Sequence, residues 1–370
     1  MTRPRVRDTG IVPGQMAPGI HNAITDVAGV RVGHTTLISG KGPLRPGLGP
    51  VRTGVTVILP HEGSLFRQKV RAAVHTINGF GKVLGFEQVR ELGIIESPIA
   101  LTNTLNVGLV ADALVEYAIE RDPDIGIGMA GTVNVVVGET NDGTLNDIQG
   151  RHVRAEQVRA AIESASAGPV LEGAVGAGTG TICFGWKGGI GTASRVLPAE
   201  GGGFTVGALV QSNFGRPDDL VVCGAPVGRQ IQPPPRQISP PPDKEGSIMI
   251  VLATAAPLDA RQLGRLGVRA GAGLARTGSH HGHGSGDLVI AFSTAVRLDH
   301  APAALVEMQP VVADEGRAMR WLFPAVVECV EEAVLNSLFR AETMTGRDGN
   351  IVQALPVEQM VAIWKRGARV

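Results

Sequence analysis

The segment that most constrains the fold is a proline-rich stretch placed directly before the most strand-like run of the chain. Residues 231–243 contain six prolines, which cannot form a helix or a central strand, so an extended connector is expected there. The run from Ile248 to Thr254 is apolar enough to be buried on both faces of a sheet. We therefore predict a tether over 231–246 that ends abruptly at the core of a single domain spanning 1–370.

The overall composition excludes several classes of partner. The 370 residues carry 34 Lys and Arg against 34 Asp and Glu, so no basic excess favours nucleic acid or an anionic membrane surface. Cys183, Cys223 and Cys329 are far apart, which fits neither a disulfide framework nor a zinc knuckle. No stretch approaches the ~18 apolar residues of a membrane span. We expect a cytoplasmic protein in a reducing compartment.

The periodicity of apolar residues predicts a layered α+β fold. Alternating apolar residues indicate strands over 22–34 and 54–60, and helical spacing indicates helices over 105–117 and 258–276. Strands and helices occur in short mixed runs without a βαβ period. This pattern favours α+β layers around one extended core over a doubly wound sheet.

The junction between Gly246 and Ser247 offers a chemical step as well as a turn. A serine hydroxyl needs a nearby base to act as a nucleophile, and glycine leaves its own carbonyl open to attack. If Ser247 attacked that carbonyl and the ester were hydrolysed, the chain would be cut into fragments 1–246 and 247–370. The new α-amine, with a pKa of ~7.7–8.0, could then serve as the base. The alternative is that Gly-Ser only ends a loop.

Six short segments, spread over almost the whole chain, occur in the same order as in a known protein family. They are NAITDVAGVRVGH (22–34), ETNDG with LND (139–147), GAVGAGTG (173–180), VQSN (210–213), GS (246–247) and SGD (285–287). The chain resembles the L-aminopeptidase/D-Ala-esterase/amidase family, which includes the β-aminopeptidases and consists of self-processing N-terminal serine hydrolases. Each segment alone is weak; their shared order makes the resemblance specific.

The resemblance implies a fold, an activity and an assembly. The fold would be a four-layer αββα sandwich similar to N-terminal nucleophile hydrolases but with different connectivity. The enzyme would release N-terminal residues from peptides, amides or esters that carry a free amine, without a cofactor. The cleaved fragments would stay together, and the protein would form a homo-oligomer, a tetramer of cleaved chains.

The resemblance also implies roles for five residues. Ser247 matches the nucleophile, and Asn213 matches the asparagine whose amide donates to the oxyanion. Ser285 and Asp287 match a serine and an acid that orient the nucleophile. Glu139 matches the carboxylate that binds the free amino group of the substrate.

Two departures from the family pattern leave the substrate preference open. The only tyrosine is Tyr117, in a predicted helix, so the tyrosine that some members carry near ETNDG is replaced by Asn141. Asp287 stands where some members have glutamate. Preference for L-amino acids, D-alanyl esters or β-amino acids depends on pocket shape, which the sequence does not define.

Two other function classes compete with this interpretation. His280, His281 and His283 could hold a metal in a metallohydrolase, although no HExxH or acidic ligand set accompanies them. A glycine-rich, non-enzymatic oligomeric binding protein is the second alternative. It predicts no break at Gly246 and no turnover.

Some of the same residues also have purely structural interpretations. Glu139 and Asp142 lie in a Gly/Asn-rich stretch where turn residues are common. Asn213 could cap a strand end, and Ser285 with Asp287 could form a simple turn. Residues 173–180 lack the Lys-Ser/Thr of a phosphate loop, so we expect their glycines to allow close backbone packing beside the site instead.

Overall fold

The computed structural model describes residues 3–128, 130–235, 246–313 and 316–367. Its helices are α1 (Phe86–Leu92), α2 (Val107–Arg121), α3 (Ala155–Glu163), α4 (Ala260–Ala275), α5 (Arg317–Arg340) and α6 (Val357–Gly367). Its strands are β1 (Arg31–Ser39), β2 (Val51–Leu59), β3 (Gln68–Gly79), β4 (Ile94–Ile95), β5 (Ile99–Asn103), β6 (Val136–Thr140), β7 (Ile182–Cys183), β8 (Trp186–Lys187), β9 (Gly189–Val196), β10 (Thr205–Phe214), β11 (Gly246–Thr254), β12 (Gly286–Asp299), β13 (Met344–Thr345) and β14 (Ile351–Val352).

Two large sheets form the centre of the molecule. The smaller has the order β1-β2-β5-β6, and the larger has the order β4-β3-β12-β11-β10-β9. In the larger sheet β11 pairs antiparallel with β10 and parallel with β12. The small hairpins β7-β8 and β13-β14 lie outside both sheets.

Three apolar clusters show how the layers stack. The first lies between the sheets, where Leu101 and Val136 of the smaller sheet meet Met249 and Ile290 of the larger. A second cluster joins the smaller sheet to α2 and α3, and a third joins the larger sheet to α4 and α5. The order is therefore helix, sheet, sheet, helix, which confirms the predicted α+β class and the αββα sandwich.

The central strands are buried because both of their faces are covered. Every residue of β11 after Gly246 is buried, and so is every residue of β2 before Leu59. At ~25 cal/mol per Å² of apolar area, such strands supply much of the driving force for a layered core. The predicted strands over 54–60 and 248–254 and the helices over 105–117 and 258–276 correspond to β2, β11, α2 and α4.

The predicted strand over 22–34 is wrong for most of its length. A 3₁₀ turn covers Ile24–Asp26, and β1 begins only at Arg31. The Asp26 carboxylate accepts the backbone N–H of Ala23 at 3.0 Å, so a local side-chain bond replaces strand pairing. Gly29, with φ +92°, then turns the chain into β1.

The tether predicted over 231–246 lies mostly outside the described residues, since 236–245 are not described. Residues 231–235 have no regular structure, and β11 begins at Gly246. Among the described residues, no helix combines the length and apolar character that crossing a membrane requires.

Candidate active site

Ser247 stands at the start of a central strand with a candidate partner on either side. In the register of the larger sheet it is opposite Asn213 of β10 and opposite Gly286 of β12. Its Oγ accepts the backbone N–H of Gly286 at 3.3 Å, and the residue is only 7% exposed. Among the described residues this hydroxyl only accepts a hydrogen bond, so its proton is available to a base.

The residue before the serine has to be glycine. Gly246 has φ +85°, a left-handed conformation that side chains disfavour. A methyl group on it would lie 1.9 Å from the carbonyl oxygen of Asn213. The backbone of β10 thus packs directly against the α-carbon of Gly246, the residue whose carbonyl group Ser247 would attack.

Asn213 has its amide group oriented by a neighbouring turn. Its Oδ1 accepts the backbone N–H of Ile182 at 2.9 Å. With the oxygen held there, the Nδ2 amino group is the part of the side chain left to donate beside Ser247. This is the arrangement that an oxyanion donor needs.

A buried lysine fixes the turn that orients Asn213. The Nζ of Lys187 donates to the carbonyl oxygens of Gly178 and Thr181, both at 2.9 Å, and of Gly188 at 2.7 Å. The side chain is completely buried, and this burial lowers the pKa of Lys187 to about 7. The sequence analysis did not identify Lys187. The one sequence feature that could have indicated its role is the position of a lysine inside an apolar, glycine-rich run.

Ser285 and Asp287 form a hydrogen-bonded pair next to the serine strand. Ser285 Oγ donates to Oδ1 of Asp287, and both side chains are buried. Asn78 of β3 supports the pair, because its side chain donates to the carbonyl oxygens of Ser285 and, at 3.0 Å, of Gly282. Asn78 was not predicted, since β3 and β12 are about two hundred residues apart in the chain.

Glu139 lies across a small gap from the same strands. Thr104 Oγ1 and the backbone N–H of Lys82 donate to its carboxylate, the latter at 2.9 Å. Burial raises the pKa of Glu139, and the two donors and the charge of Lys82 oppose that rise. A methyl group on Gly81 would lie 3.6 Å from both Oε1 of Glu139 and Cα of Gly286, and 2.9 Å from Cδ1 of Leu288, so Gly81 lies in the gap between Glu139 and β12.

Asp142, three residues further on, has a structural role. It accepts Thr53 Oγ1 at 2.5 Å and Asn146 Nδ2 at 3.0 Å, and burial raises its pKa to about 7. Asn141 is exposed, and its Oδ1 accepts the N–H of Gly143 at 2.9 Å, which closes a tight turn. The turn interpretation therefore applies to Asn141 and Asp142.

The glycine-rich passage 173–180 packs tightly against neighbouring backbone. A methyl group on Gly178 would lie 2.4 Å from the nitrogen of Ile190, and one on Gly180 would lie 2.2 Å from the oxygen of Arg52. Ala177 O accepts Gln211 Nε2 at 3.0 Å. The prediction of close packing beside the site is confirmed by these approaches.

The three histidines of the 277–286 loop point to three different partners. His280 Nδ1 lies 3.7 Å from Asp219, and His281 Nδ1 lies 3.4 Å from Asp287. The His283 ring centroid lies 6.4 Å from that of Phe80. In the part of the chain that the structure describes, no three His, Cys, Asp or Glu side chains converge as a metal site requires.

Known proteins share this architecture over nearly the whole chain. The β-peptidyl aminopeptidase BapA of Sphingosinicella microcystinivorans is 43% identical over 99% of this chain and 93% of its own length. The structure of a β-aminopeptidase from a Burkholderia species matches with a TM-score of 0.89 and 43% identity, over 98% of this chain and 99% of its own.

A third relative is a solved structure whose enzyme class and fold are both described. The L-aminopeptidase D-Ala-esterase/amidase of Ochrobactrum anthropi, described as a prototype for the serine aminopeptidases and a variant of the Ntn hydrolase fold, matches with a TM-score of 0.89. Its identity is 41%, over 99% of both chains.

The fold and these likenesses define a serine aminopeptidase with a variant of the N-terminal nucleophile hydrolase fold. Residues 22–352 match the model of peptidase family S58, and the chain belongs to that family.

Proposed function

We propose that Ser247 is an N-terminal nucleophile, generated when the chain cuts itself after Gly246. The observation that carries the proposal is the strand register, which places Ser247 opposite Asn213 on one side and opposite Gly286 on the other. Residues from three strands thereby surround one hydroxyl. This arrangement supports Ser247, Asn213, Ser285 and Asp287 as the catalytic set.

The self-cleavage step uses groups that are already in contact. Ser247 Oγ attacks the carbonyl carbon of Gly246, the peptide bond breaks, and the nitrogen of Ser247 takes the proton to become an amine. Water then hydrolyses the ester, which leaves a carboxylate on Gly246 and restores the hydroxyl. The fragments would be 1–246 and 247–370.

Turnover follows the same chemistry on a substrate. The α-amine of Ser247 takes the hydroxyl proton as Oγ attacks the scissile carbonyl, and it passes that proton to the leaving amine. Asn213 Nδ2 donates to the oxyanion, while the Ser285–Asp287 pair orients the α-amine. Water then hydrolyses the acyl-enzyme.

Glu139 supplies the preference for a free amine. An ammonium group that enters a partly buried site loses hydration, which an anion must replace. The carboxylate faces the gap beside Gly81, opposite Gly286, as such a substrate would need. We propose small peptides, amides and esters with a free amine as substrates.

The preferred amino acid is best found with a panel of substrates. The relatives include enzymes named for β-peptides and one named for L-amino acids and D-alanyl esters. Their identities to this chain, 43% and 41%, are too similar to choose between them. p-Nitroanilides of L-α, D-α and β-amino acids, assayed in parallel, separate the three classes.

The environment and assembly of the enzyme are also proposals. The three cysteines are free thiols, which suits a reducing, cytoplasmic compartment. Leu305, Val306 and Met308 are strongly exposed, which supports a homotetramer that covers apolar surface. Light scattering coupled to size-exclusion chromatography measures the assembly.

Two measurements test the proposed function. Denaturing mass spectrometry is expected to show one fragment that ends at Gly246 and one that starts at Ser247. An intact chain after long incubation at neutral pH would contradict self-cleavage. N-acetylated substrates are expected to be poor; if they are hydrolysed as well as free-amine substrates, the enzyme is a general amidase or esterase instead.

A further inference from the structure

His281 reaches the carboxylate of the Ser285–Asp287 pair from the side opposite the serine. Its Nδ1 lies 3.4 Å from Oδ2 of Asp287, whose Oδ1 accepts Ser285 Oγ. The Asp287 side chain is 1% exposed and the His281 side chain 26% exposed. One buried carboxylate therefore has the serine hydroxyl at one oxygen and the imidazole at the other.

The imidazole nitrogen that faces Asp287 is uncommitted. Within the described residues Nδ1 of His281 is buried and makes no hydrogen bond. Hydrogen bonds of catalytic groups are often long before substrate binds and shorten afterwards. A short movement of the ring would turn the 3.4 Å contact into a hydrogen bond to Asp287.

The surrounding backbone accommodates the ring at this position. His281 has φ +54°, a left-handed conformation in which histidine, asparagine and aspartate are the most frequent residues after glycine. The ring lies beside α4: a methyl group on Gly271 would be in ordinary van der Waals contact with Nε2 of His281, at 3.9 Å, and with Ile77 of β3, at 3.6 Å.

The two neighbouring histidines have different partners. His280 faces Asp219, and the His283 ring lies near Phe80. Of the three, His281 is the one that contacts the acid of the site. The loop therefore provides two matched controls for the same kind of substitution.

We propose that His281 is a positioning residue for Asp287. Its Nδ1–H holds Oδ2 of Asp287, so that Oδ1 stays directed at Ser285 and the Ser285 oxygen faces the α-amine of Ser247. The proposal rests on the proposed function, because it assigns His281 to the same site.

The test compares two substitutions of one residue. His281→Gly removes the ring and relaxes the left-handed backbone, whereas His281→Asn keeps tolerance of that backbone and offers an amide donor that does not titrate. We expect His281→Gly to lower kcat about tenfold to a hundredfold, with KM within about twofold, as loss of a hydrogen bond to a charged group would do. His281→Asn should stay within about threefold of the wild-type kcat, because its amide can still donate to Asp287.

The controls separate this inference from the proposed function. His280→Asn and His283→Asn should leave kcat and KM unchanged. If His281→Gly remains uncut, the rate of chain cleavage is measured in place of kcat, and His281→Gly should then be cut much more slowly than His281→Asn. A His281→Gly variant with wild-type kcat overturns the inference, and so does a His281→Asn variant that is as slow as His281→Gly. Ser247→Ala, measured alongside, overturns the proposed function instead if it retains activity.

Discussion

The two ends of strands β10, β11 and β12 carry similar polar residues and use them differently. At the far end, Thr254 Oγ1 donates to Thr205 O at 2.9 Å, and Ser293 Oγ donates to Ala256 O at 2.6 Å. At the near end, Ser247 Oγ accepts a backbone N–H. Thr254 and Ser293 are opposite each other, as Ser247 and Gly286 are.

The difference lies in where each hydroxyl proton goes. The hydroxyls of Thr254 and Ser293 donate to backbone carbonyls, so their protons are committed to structure, although both also accept a backbone N–H. Among the described residues, the Ser247 hydroxyl accepts an N–H and donates to no carbonyl, so its proton is available for transfer. Burial is nearly the same at both ends, with Ser293 2% exposed and Ser247 7% exposed. The use of the hydroxyl proton, rather than burial, distinguishes the proposed nucleophile.

The largest effect is expected from removing the hydroxyl at each end. Ser247→Ala should stay uncut and inactive, because it removes the attacking atom and leaves the backbone unchanged. Ser293→Ala should be cut and active, with a loss of ~1 kcal/mol in the free energy of unfolding. Mass spectrometry and chemical denaturation measure these outcomes. A cut Ser247→Ala chain would show that the two ends do not differ as described.

The next effect concerns the donor beside the serine. Asn213→Ala should lower kcat about a hundredfold to a thousandfold, because one oxyanion donor contributes ~2.7–4 kcal/mol. Steady-state kinetics on a cleaved sample measure it. KM should change much less than kcat, since the donor acts on charge that develops in the transition state; equal changes in both would contradict the assignment.

The role proposed for Glu139 predicts a loss restricted to free-amine substrates. Glu139→Gln should still be cut after Gly246, but kcat/KM on those substrates should fall about tenfold to a hundredfold, because a charge-assisted bond contributes ~1.5–3 kcal/mol. N-acetylated substrates should hardly respond. Asp142→Asn is the matched control: it should lower the melting temperature, because an amide would face buried donors from Thr53 and Asn146.

The raised pKa of Glu139 predicts a direction for the pH dependence of binding. Because burial raises this pKa, the carboxylate takes up its proton at a higher pH than an ordinary glutamate. As the pH falls through that pKa, the anion is lost and KM for free-amine substrates should rise. KM measured between about pH 5 and 8 should show this rise in the wild type and not in Glu139→Gln. A parallel rise in both would assign the titration to another group.

The smallest effect is expected at the gap between Glu139 and β12. Gly81→Ala would place a methyl group 2.9 Å from Leu288 Cδ1 and 3.6 Å from the Glu139 carboxylate. We expect KM to rise about threefold to tenfold with kcat nearly unchanged, as modest overpacking costs ~1 kcal/mol. Gly108→Ala, in α2 with open space around it, is the control. An unchanged KM in Gly81→Ala would place the substrate amine elsewhere.

The sequence was most informative where function depends on chain neighbours. Gly246 and Ser247 are adjacent, so the possibility of self-attack is visible without a structure. The layered α+β class also followed from local patterns, since β11 is apolar from Ile248 to Ala253 and β2 ends in the β-branched run from Val55 to Ile58. Periodicity was wrong over 22–34, where the Asp26 carboxylate and Gly29 favour turns over a strand.

The support of the site depends on contacts between distant segments. Asn78 reaches the Ser285 loop from β3, and Lys187 holds the turn that orients Asn213. Neither residue carries a motif, because its role arises from strand order and burial. The placement of Glu139 across the gap at Gly81 likewise depends on how the two sheets stack.

The order of strands in the larger sheet has a consequence for refolding. A cut after Gly246 would leave β11 and β12 on one polypeptide, between β3 and β10 of the other. Neither polypeptide could then complete the sheet alone, so dilution would not separate them. Refolding of the uncut chain would be independent of protein concentration, whereas refolding after the cut would require two molecules to meet. The cut would thus turn a reversible folding reaction into one whose yield depends on concentration, and the mature enzyme would persist because it unfolds slowly.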